Sequence, residues 1–296
     1  MSKFKSGFIA IIGRSNVGKS TLMNEIIGDK VAIVSDRPQT TRNQIKGIFT
    51  TKDYQMVFLD TPGLHLPKNK LGKFMIKATT DSLEEVDAVI VVVDASEYIG
   101  AGDMSAIEKL EQVNTPAILI LNKIDKVEKQ DLLAIIDRFK DNKNISNIIP
   151  ISALKGDGIE ELVDVLQSYL PEGPRFFPDD MVTDRPERFI VREIIREKTL
   201  LNIREEIPHG VGIEILKIDQ LNDNFMEIHA NIVCEKQSHK PIIIGKRGSM
   251  IKKLGSEARR DIEKLFACKV NLQLWVRIKP LWRDNISLMK DYGYDE

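Results

Sequence analysis

Five short apolar runs punctuate the first 170 residues: "FIAIIG" (8–13), "YQMVFLD" (54–60), "DAVIVVVDA" (87–95), "PAILILNK" (116–123) and "NIIPISA" (147–153). Several are almost continuously apolar, which predicts strands buried on both faces of a parallel sheet. Between them, "KFMIKATTDSLEE" (73–85) and "IEELVDVLQSYL" (159–170) read as helices. Alternating strands and helices predict an α/β fold with a doubly wound, mostly parallel sheet. Such sheets bind ligands beyond the carboxyl ends of their strands.

The pattern breaks at "LPEGPRFFPDD" (170–180), where three prolines and a glycine predict a linker. A helix-like "RFIVREIIREKTLLNI" (188–203) follows, then strand patterns at 211–220 and 225–236. A second helix is predicted over 249–266 and a last strand over 268–279. The expected organisation is an α/β domain over 1–170, a linker over 171–187 and a smaller α+β domain over 188–296.

Composition adds three constraints. No run approaches the ~20 apolar residues of a membrane-spanning helix, and the short apolar start leads into "RSNVGKS" instead of a cleavage site. Cys234 and Cys268 suggest reduced packing residues, not a disulfide framework or zinc site. These features predict a cytoplasmic protein. The net charge of −1 hides an asymmetry: residues 1–180 carry 22 Lys/Arg against 26 Asp/Glu, whereas residues 236–283 carry 13 against 3. An excess of that size marks an anionic partner, nucleic acid or membrane.

The chemistry is concentrated in four motifs. "GRSNVGKS" (Gly13, Arg14, Ser15, Asn16, Val17, Gly18, Lys19, Ser20) fits G-x-x-x-x-G-K-[ST], and Thr21 continues into the predicted helix. Its backbone N–H groups can wrap a phosphate chain, Lys19 can reach the β- and γ-phosphates, and the Ser20 hydroxyl can hold Mg²⁺. "DTPG" (Asp60, Thr61, Pro62, Gly63) ends an apolar run; there Asp60 would meet Mg²⁺ through water and the Gly63 N–H could contact the γ-phosphate. "NKID" supplies Asn122, Lys123 and Asp125. The Asp125 carboxylate can accept from both guanine N1–H and the 2-amino group, and adenine would leave it unpaired. "SAL" (Ser152, Ala153, Leu154) can add a backbone N–H to the guanine oxygen.

In this order the motifs resemble the GTPase domain of translation-factor-related P-loop proteins. The loop "RPQTTRNQIKG" (37–47) resembles the effector loop of the Era-related branch, with Thr41 as the Mg²⁺-binding threonine and Thr40 as the alternative. The resemblance implies GTP and GDP as ligands, hydrolysis of GTP, and Lys19, Thr41, Gly63 and Asn16 at the reacting phosphate. Asn16 sits at the position that recruits K⁺ in relatives of that branch; the alternative is that it only shapes its own turn. Leu64 follows DxxG where Ras-like enzymes have a water-orienting glutamine. Slow hydrolysis is therefore expected unless another group aligns the water. Arg42 and His65 read as solvated loop residues.

A second glycine loop, "PIIIGKRGSMIKKLG" (241–255), lacks the phosphate-loop spacing. Its apolar segment, basic G-x-x-G turn and following helix resemble a KH module, whose loop clamps about four nucleotides of single-stranded RNA. Gly245 and Gly248 would admit the sugar–phosphate chain, and Lys246 and Arg247 would neutralise phosphates. Ile242, Ile243 and Ile244 would floor the bases, with Lys252 and Lys253 extending the basic surface. Trp275 reads as core, and Trp282 is left open. The order of elements resembles a type II KH domain.

One GTPase motif set followed by one KH domain, across essentially the whole chain, is similar to the Era-related GTPases. That resemblance implies binding near the 3′ end of 16S ribosomal RNA, a role in 30S subunit assembly and a peripheral inner-membrane pool. No DNA is expected as a partner. Two readings remain open here: a GTP-driven switch, or a constitutive RNA tether whose nucleotide is mainly structural.

Overall fold

The computed structural model describes residues 3–35, 40–63, 70–73, 75, 86–112, 115–203, 207, 210–222 and 224–294. The expectations for Leu64 and His65, for 37–39 of the effector loop and for most of the helix over 73–85 lie outside the described residues. The chain divides into two compact units. The first comprises Met1–Val34, Thr41–Leu66 and Met75–Asp184, and the second Ser35–Thr40, Pro67–Phe74 and Arg185–Glu296.

The first unit is built on a six-stranded sheet of β1 (Lys5–Ile12), β2 (Ile45–Thr50), β3 (Tyr54–Asp60), β4 (Ala88–Asp94), β5 (Ala117–Asn122) and β6 (Asn147–Pro150), in the order β2-β3-β1-β4-β5-β6. All neighbours are parallel except β2, which pairs antiparallel with β3. Every residue of β4 and β5 is buried, as expected of β-branched and aliphatic strands covered on both faces. Helices α1 (Lys19–Ile27), α2 (Ala101–Glu108), α3 (Lys129–Phe139) and α4 (Ile159–Tyr169) belong to this unit. Reversal of strand order about β1 puts the phosphate-loop motif at the topological switch point, where open α/β sheets bind ligands.

Two expectations change in this unit. β2 arises from the last residues of the stretch read as a loop, Ile45 to Gly47, and continues to Thr50. The proline-rich stretch read as a linker is bonded back to the first unit through residue 183. Buried Gln55 accepts from the Phe176 and Phe177 N–H groups and donates to the Phe177 carbonyl, while Val182 O accepts from Ile48 N–H. Phe176 also packs against Phe8, with ring centroids 5.0 Å apart.

The second unit runs α5 (Glu187–Asn202), β7 (Gly212–Asn222), β8 (Phe225–Cys234), α6 (His239–Ile244), α7 (Ser249–Phe266), β9 (Lys269–Ile278) and α8 (Ile286–Asp291). β7 and β8 are antiparallel, β8 and β9 parallel, and β9 is an edge strand. Alternate residues of the sheet form one core with the helices: Ile213 and Ile215, Ile228, Ala230 and Ile232, and Val270 and Val276 pack with Ile195, Ile243, Leu254 and Ile262. The other alternating set faces away from that core. Trp275 belongs to it and is 44% exposed, which corrects its reading as core, whereas Trp282 is fully buried and donates to the Gly210 carbonyl at 2.9 Å. Among the described residues no helix is long and apolar enough to cross a membrane.

Candidate functional site

The phosphate-loop residues connect β1 to α1. Lys19 is buried, and its ammonium donates to the Gly13 and Arg14 carbonyls at 3.1 and 2.9 Å, which holds it folded back over the loop. Burial pushes its pKa down to about 8, against the pull of the Asp60 carboxylate. Phosphate oxygens favour the charged form, so free protein that has lost the Lys19 proton binds GTP poorly. Affinity should fall about fourfold between pH 7 and pH 8.5 as this group titrates, measurable by calorimetry at fixed salt. A flat profile would contradict the assignment.

Asp60, at the carboxyl end of β3, is fully buried beside two hydroxyls. Its Oδ2 accepts from Ser20 Oγ at 2.7 Å and from Thr41 Oγ1 at 3.2 Å, and the hydroxyls lie 2.9 Å apart. Its Oδ1 is equally buried and has no hydrogen-bond partner among the described residues. Burial raises the Asp60 pKa, with Lys19 and the two hydroxyls opposing the rise. A buried carboxylate with one unsatisfied oxygen, flanked by two hydroxyls, is a set of hard oxygen donors that suits Mg²⁺. The residues present fit the ion. Thr61 is anchored through its hydroxyl to the Ile11 carbonyl at 2.8 Å. A Cβ at Gly63 would come within 2.8 Å of the Ser15 backbone, so only glycine lets this turn approach the phosphate loop.

"NKID" closes the other side. Asn122 ends β5 and donates to the Val17 carbonyl at 2.8 Å, while its Oδ1 accepts from the Lys123 and Ala153 N–H groups at 2.8 and 3.0 Å. One amide thus ties the phosphate loop, its own turn and the Ser152–Ala153 turn together. Lys123, at φ 66°, donates to the Asn16 carbonyl at 2.9 Å and pairs with Asp94 at the end of β4. Burial would raise the Asp94 pKa, but hydrogen bonds from Lys123 and Ser96 outweigh it and the net shift is downward. Asp94 is a site residue that the motif reading missed, although its position at the carboxyl end of an apolar strand was a usable signal. Asp125 stays exposed, with Oδ1 fixed by the Ser152 hydroxyl at 2.7 Å.

The remaining motif residues surround these. Arg14 is held by Glu97 at 2.5 Å and Asp103 at 3.4 Å, which aims its charge at carboxylates. Asn16 is exposed in left-handed backbone at φ 67°, and Val17 is buried. Thr21 lies inside α1 and Leu154 is 72% exposed. Arg42, read as a solvated loop residue, is instead buried.

In the second unit the basic glycine turn joins α6 to α7. Gly245 has φ 75°, and a Cβ there would lie 2.6 Å from the Met250 nitrogen. Arg247 is also left-handed, at φ 52°, a conformation that costs a non-glycine residue of order 1–2 kcal/mol. Strain of this kind clusters at functional turns. Lys246, Arg247, Lys252 and Lys253 are exposed. The isoleucine floor needs correction: the segment is helical, Ile243 is fully buried in the core, and Ile242 is the exposed member at 49%. The apolar floor comes from elsewhere. A groove of about 290 Å³ between α7 and β9 is lined by Ile251, Gly255, Ser256, Arg259, Leu272 and Leu274, among others. Beside a basic turn, it offers apolar seats for bases and a cationic rim for phosphates.

A family model described as a 50S ribosome-binding GTPase matches residues 8–123, and one described as a KH domain matches residues 206–283. The chain is 52% identical over 295 residues to the GTPase Era of Clostridioides difficile, spanning 99% of both proteins. It is 50% identical to the GTPase Era of Ruminiclostridium cellulolyticum over 98% of both. The chain belongs to the Era GTPase family. Membership makes it an enzyme that hydrolyses GTP. A crystal structure of Era in complex with MgGDPNP and nucleotides 1506–1542 of 16S ribosomal RNA matches with a TM-score of 0.95 and 39% identity, covering 99% of this chain and 100% of that one. A variant of Aquifex aeolicus Era bound to GDP·AlF4⁻ matches equally well. Both Era structures cover both units of the present fold.

Proposed function

We propose that this Era-family GTPase is a GTP-gated RNA binder: residues 1–170 hold guanine nucleotide, and residues 188–296 grip single-stranded 16S ribosomal RNA near its 3′ end during 30S assembly. The observation that carries the nucleotide half is the unsatisfied Asp60 Oδ1 beside the Ser20 and Thr41 hydroxyls. In this reading these three residues would hold Mg²⁺, which would supply positive charge to neutralise the phosphates. Residues 13–21 wrap the phosphates and the Gly63 N–H meets the γ-phosphate. Asp125 reads the guanine edge, with Ser152 fixing its orientation. Exposed Asn16, its carbonyl engaged by Lys123, is the ligand we assign to K⁺. The RNA half rests on the basic turn at 245–248 and the α7–β9 groove, together with the RNA-bound relative.

GTP turnover in K⁺ against Na⁺ at constant ionic strength tests the Asn16 assignment. K⁺ should raise turnover by at least tenfold, and Asn16→Ala should remove the difference while leaving GDP affinity within about threefold. Equal turnover in both salts would reject it. Asp60→Asn should separately raise the Mg²⁺ concentration needed for tight GTP binding, and an unchanged requirement would reject that ligand.

A further inference from the structure

The outer face of the second sheet holds a second recess. Glu214, Asn231 and Trp275 stand in one cross-strand row of β7, β8 and β9. A cavity of about 390 Å³ is lined by Leu216, Asn231, Trp275, Val276 and Arg277. Leu216 is the extra residue where the β7–β8 register shifts between Ile215 and Lys217, and it projects 44% exposed. A bulge here re-aims a large side chain beside the recess. The Trp275 indole is braced edge-on by His229, with centroids 5.4 Å apart at 84°, and this contact leaves it 44% exposed.

The chemistry is not that of a bare apolar patch. Asn231 is only 1% exposed, and its Nδ2 donates to Glu214 Oε2 at 2.5 Å. That carboxylate fixes which way the amide points, because the reverse would set oxygen against oxygen. Asn231, which lines the recess, is then left with Oδ1 as a buried acceptor that has no hydrogen-bond partner among the described residues, an arrangement that is costly unless something donates to it. At the rim, Arg277 has no carboxylate of the described residues within ion-pair distance. A flat aromatic face, a recessed acceptor and a rim cation are together what a nucleotide requires: stacking for the base, a partner for its N–H donor, a counter-charge for its phosphate.

We propose that this recess is a second RNA subsite, which takes one base, stacked on Trp275, from the strand that leaves the α7–β9 groove. The inference rests on the groove reading above. β9 is the shared edge: Leu272 and Leu274 line the groove, whereas Trp275 and Arg277, of opposite alternation, line the recess. A strand passing over this edge meets both, within a stretch carrying ten excess positive charges between residues 236 and 283. The subsite lengthens the RNA footprint and takes a base that presents an N–H donor toward Asn231.

The test uses the full chain with a four-nucleotide RNA that fills the groove alone and a twelve-nucleotide RNA that extends past it. Trp275→Ala should weaken the long RNA about tenfold, a typical loss for one base stack, and leave the short RNA unchanged, which also shows that the variant folds. The long RNA alone should quench indole fluorescence. Trp275→Phe should abolish that quenching and keep most of the affinity, and an extension of abasic nucleotides should bind like the short RNA. Lys246→Glu should weaken both RNAs. If Trp275→Ala binds the long RNA as tightly as the unaltered protein while Lys246→Glu still loses affinity, the second subsite is refuted and the groove stands. If Lys246→Glu changes neither, the groove reading falls and takes this inference with it.

Discussion

Asp125→Asn is expected to weaken GTP and GDP binding by roughly 10²- to 10⁴-fold while leaving the free protein folded. The carboxylate would accept two hydrogen bonds from guanine, and bonds to a charged group contribute about 1.5–3 kcal/mol each; two of them correspond to that range of affinity. The side chain is exposed in the free chain and, among the described residues, its carboxylate is hydrogen-bonded by the Ser152 hydroxyl, so its stability cost should stay within about 0.5 kcal/mol. Asparagine also presents an NH₂ group where guanine presents donors, so the penalty exceeds that of two absent hydrogen bonds. Ser152→Ala, which frees Asp125 without removing it, should cost far less, on the order of a single neutral hydrogen bond or about 1 kcal/mol. Calorimetry of the two variants with GDP, beside a melting curve, separates these outcomes. Unchanged GDP affinity in Asp125→Asn would overturn the guanine reading.

The second large effect is expected at the basic turn. Lys246→Glu combined with Arg247→Glu should weaken single-stranded RNA at least 30-fold at low salt and flatten the salt dependence. On a single strand, every phosphate left without its cation lowers the slope of log K against log salt by about 0.7, so two should lower it by about 1.4. Both side chains are exposed, and the substitutions should leave GTP hydrolysis unaltered. Arg247→Gly is an informative companion. It relieves a backbone held at φ 52° while deleting the charge, so weaker RNA binding from a protein that is no less stable would assign the effect to the charge. A full retention of affinity and slope in the double variant would place the RNA elsewhere.

The legible part of this protein was its local part. A phosphate loop, a DxxG turn and an NKxD turn are contiguous in sequence, and each lies at a β-strand end whose apolar run is unmistakable, so five of the six strands of the first sheet were legible, four of them with a motif attached. β2 was missed because it carries Gly47 within it and emerges from a threonine-bearing loop; its strand character comes from pairing with β3, a tertiary cause. The two tryptophans are more instructive. Val270, Leu272, Leu274, Val276 and Ile278 alternate toward the core, and strict counting along β9 already places Trp275 on the opposite face. Trp282 lies beyond the strand, where no period predicts burial; the ring contacts with Tyr292 and Tyr294, 5.3 and 5.8 Å between centroids, enclose it. Reading "PIII" as an exposed floor failed for a related reason, because a single turn of helix sends Ile243 inward and Ile242 outward.

Interactions that cross the sequence could not be read in advance. The Asn122 amide that braces Val17 and Ala153 joins residues 105 and 31 positions apart. Asp94 meets Lys123 only because β4 and β5 are aligned in register at Asp94 and Asn122. The α7–β9 groove likewise combines two elements, so Ser256 and Leu272 carry no signal that distinguishes them from ordinary helix and strand residues until the two are packed. In each case the residue type was visible and its partner was not.

The most direct test of a GTP-gated RNA binder is the affinity of the full chain for a single-stranded copy of the 16S 3′ tail, compared between a non-hydrolysable GTP analogue and GDP at one fixed salt concentration. The account predicts at least tenfold tighter binding with the analogue, a coupling of about 1.4 kcal/mol between the two sites, and by reciprocity an equal tightening of the analogue by RNA. Equal, tight RNA binding in both nucleotide states would contradict it and leave a constitutive tether.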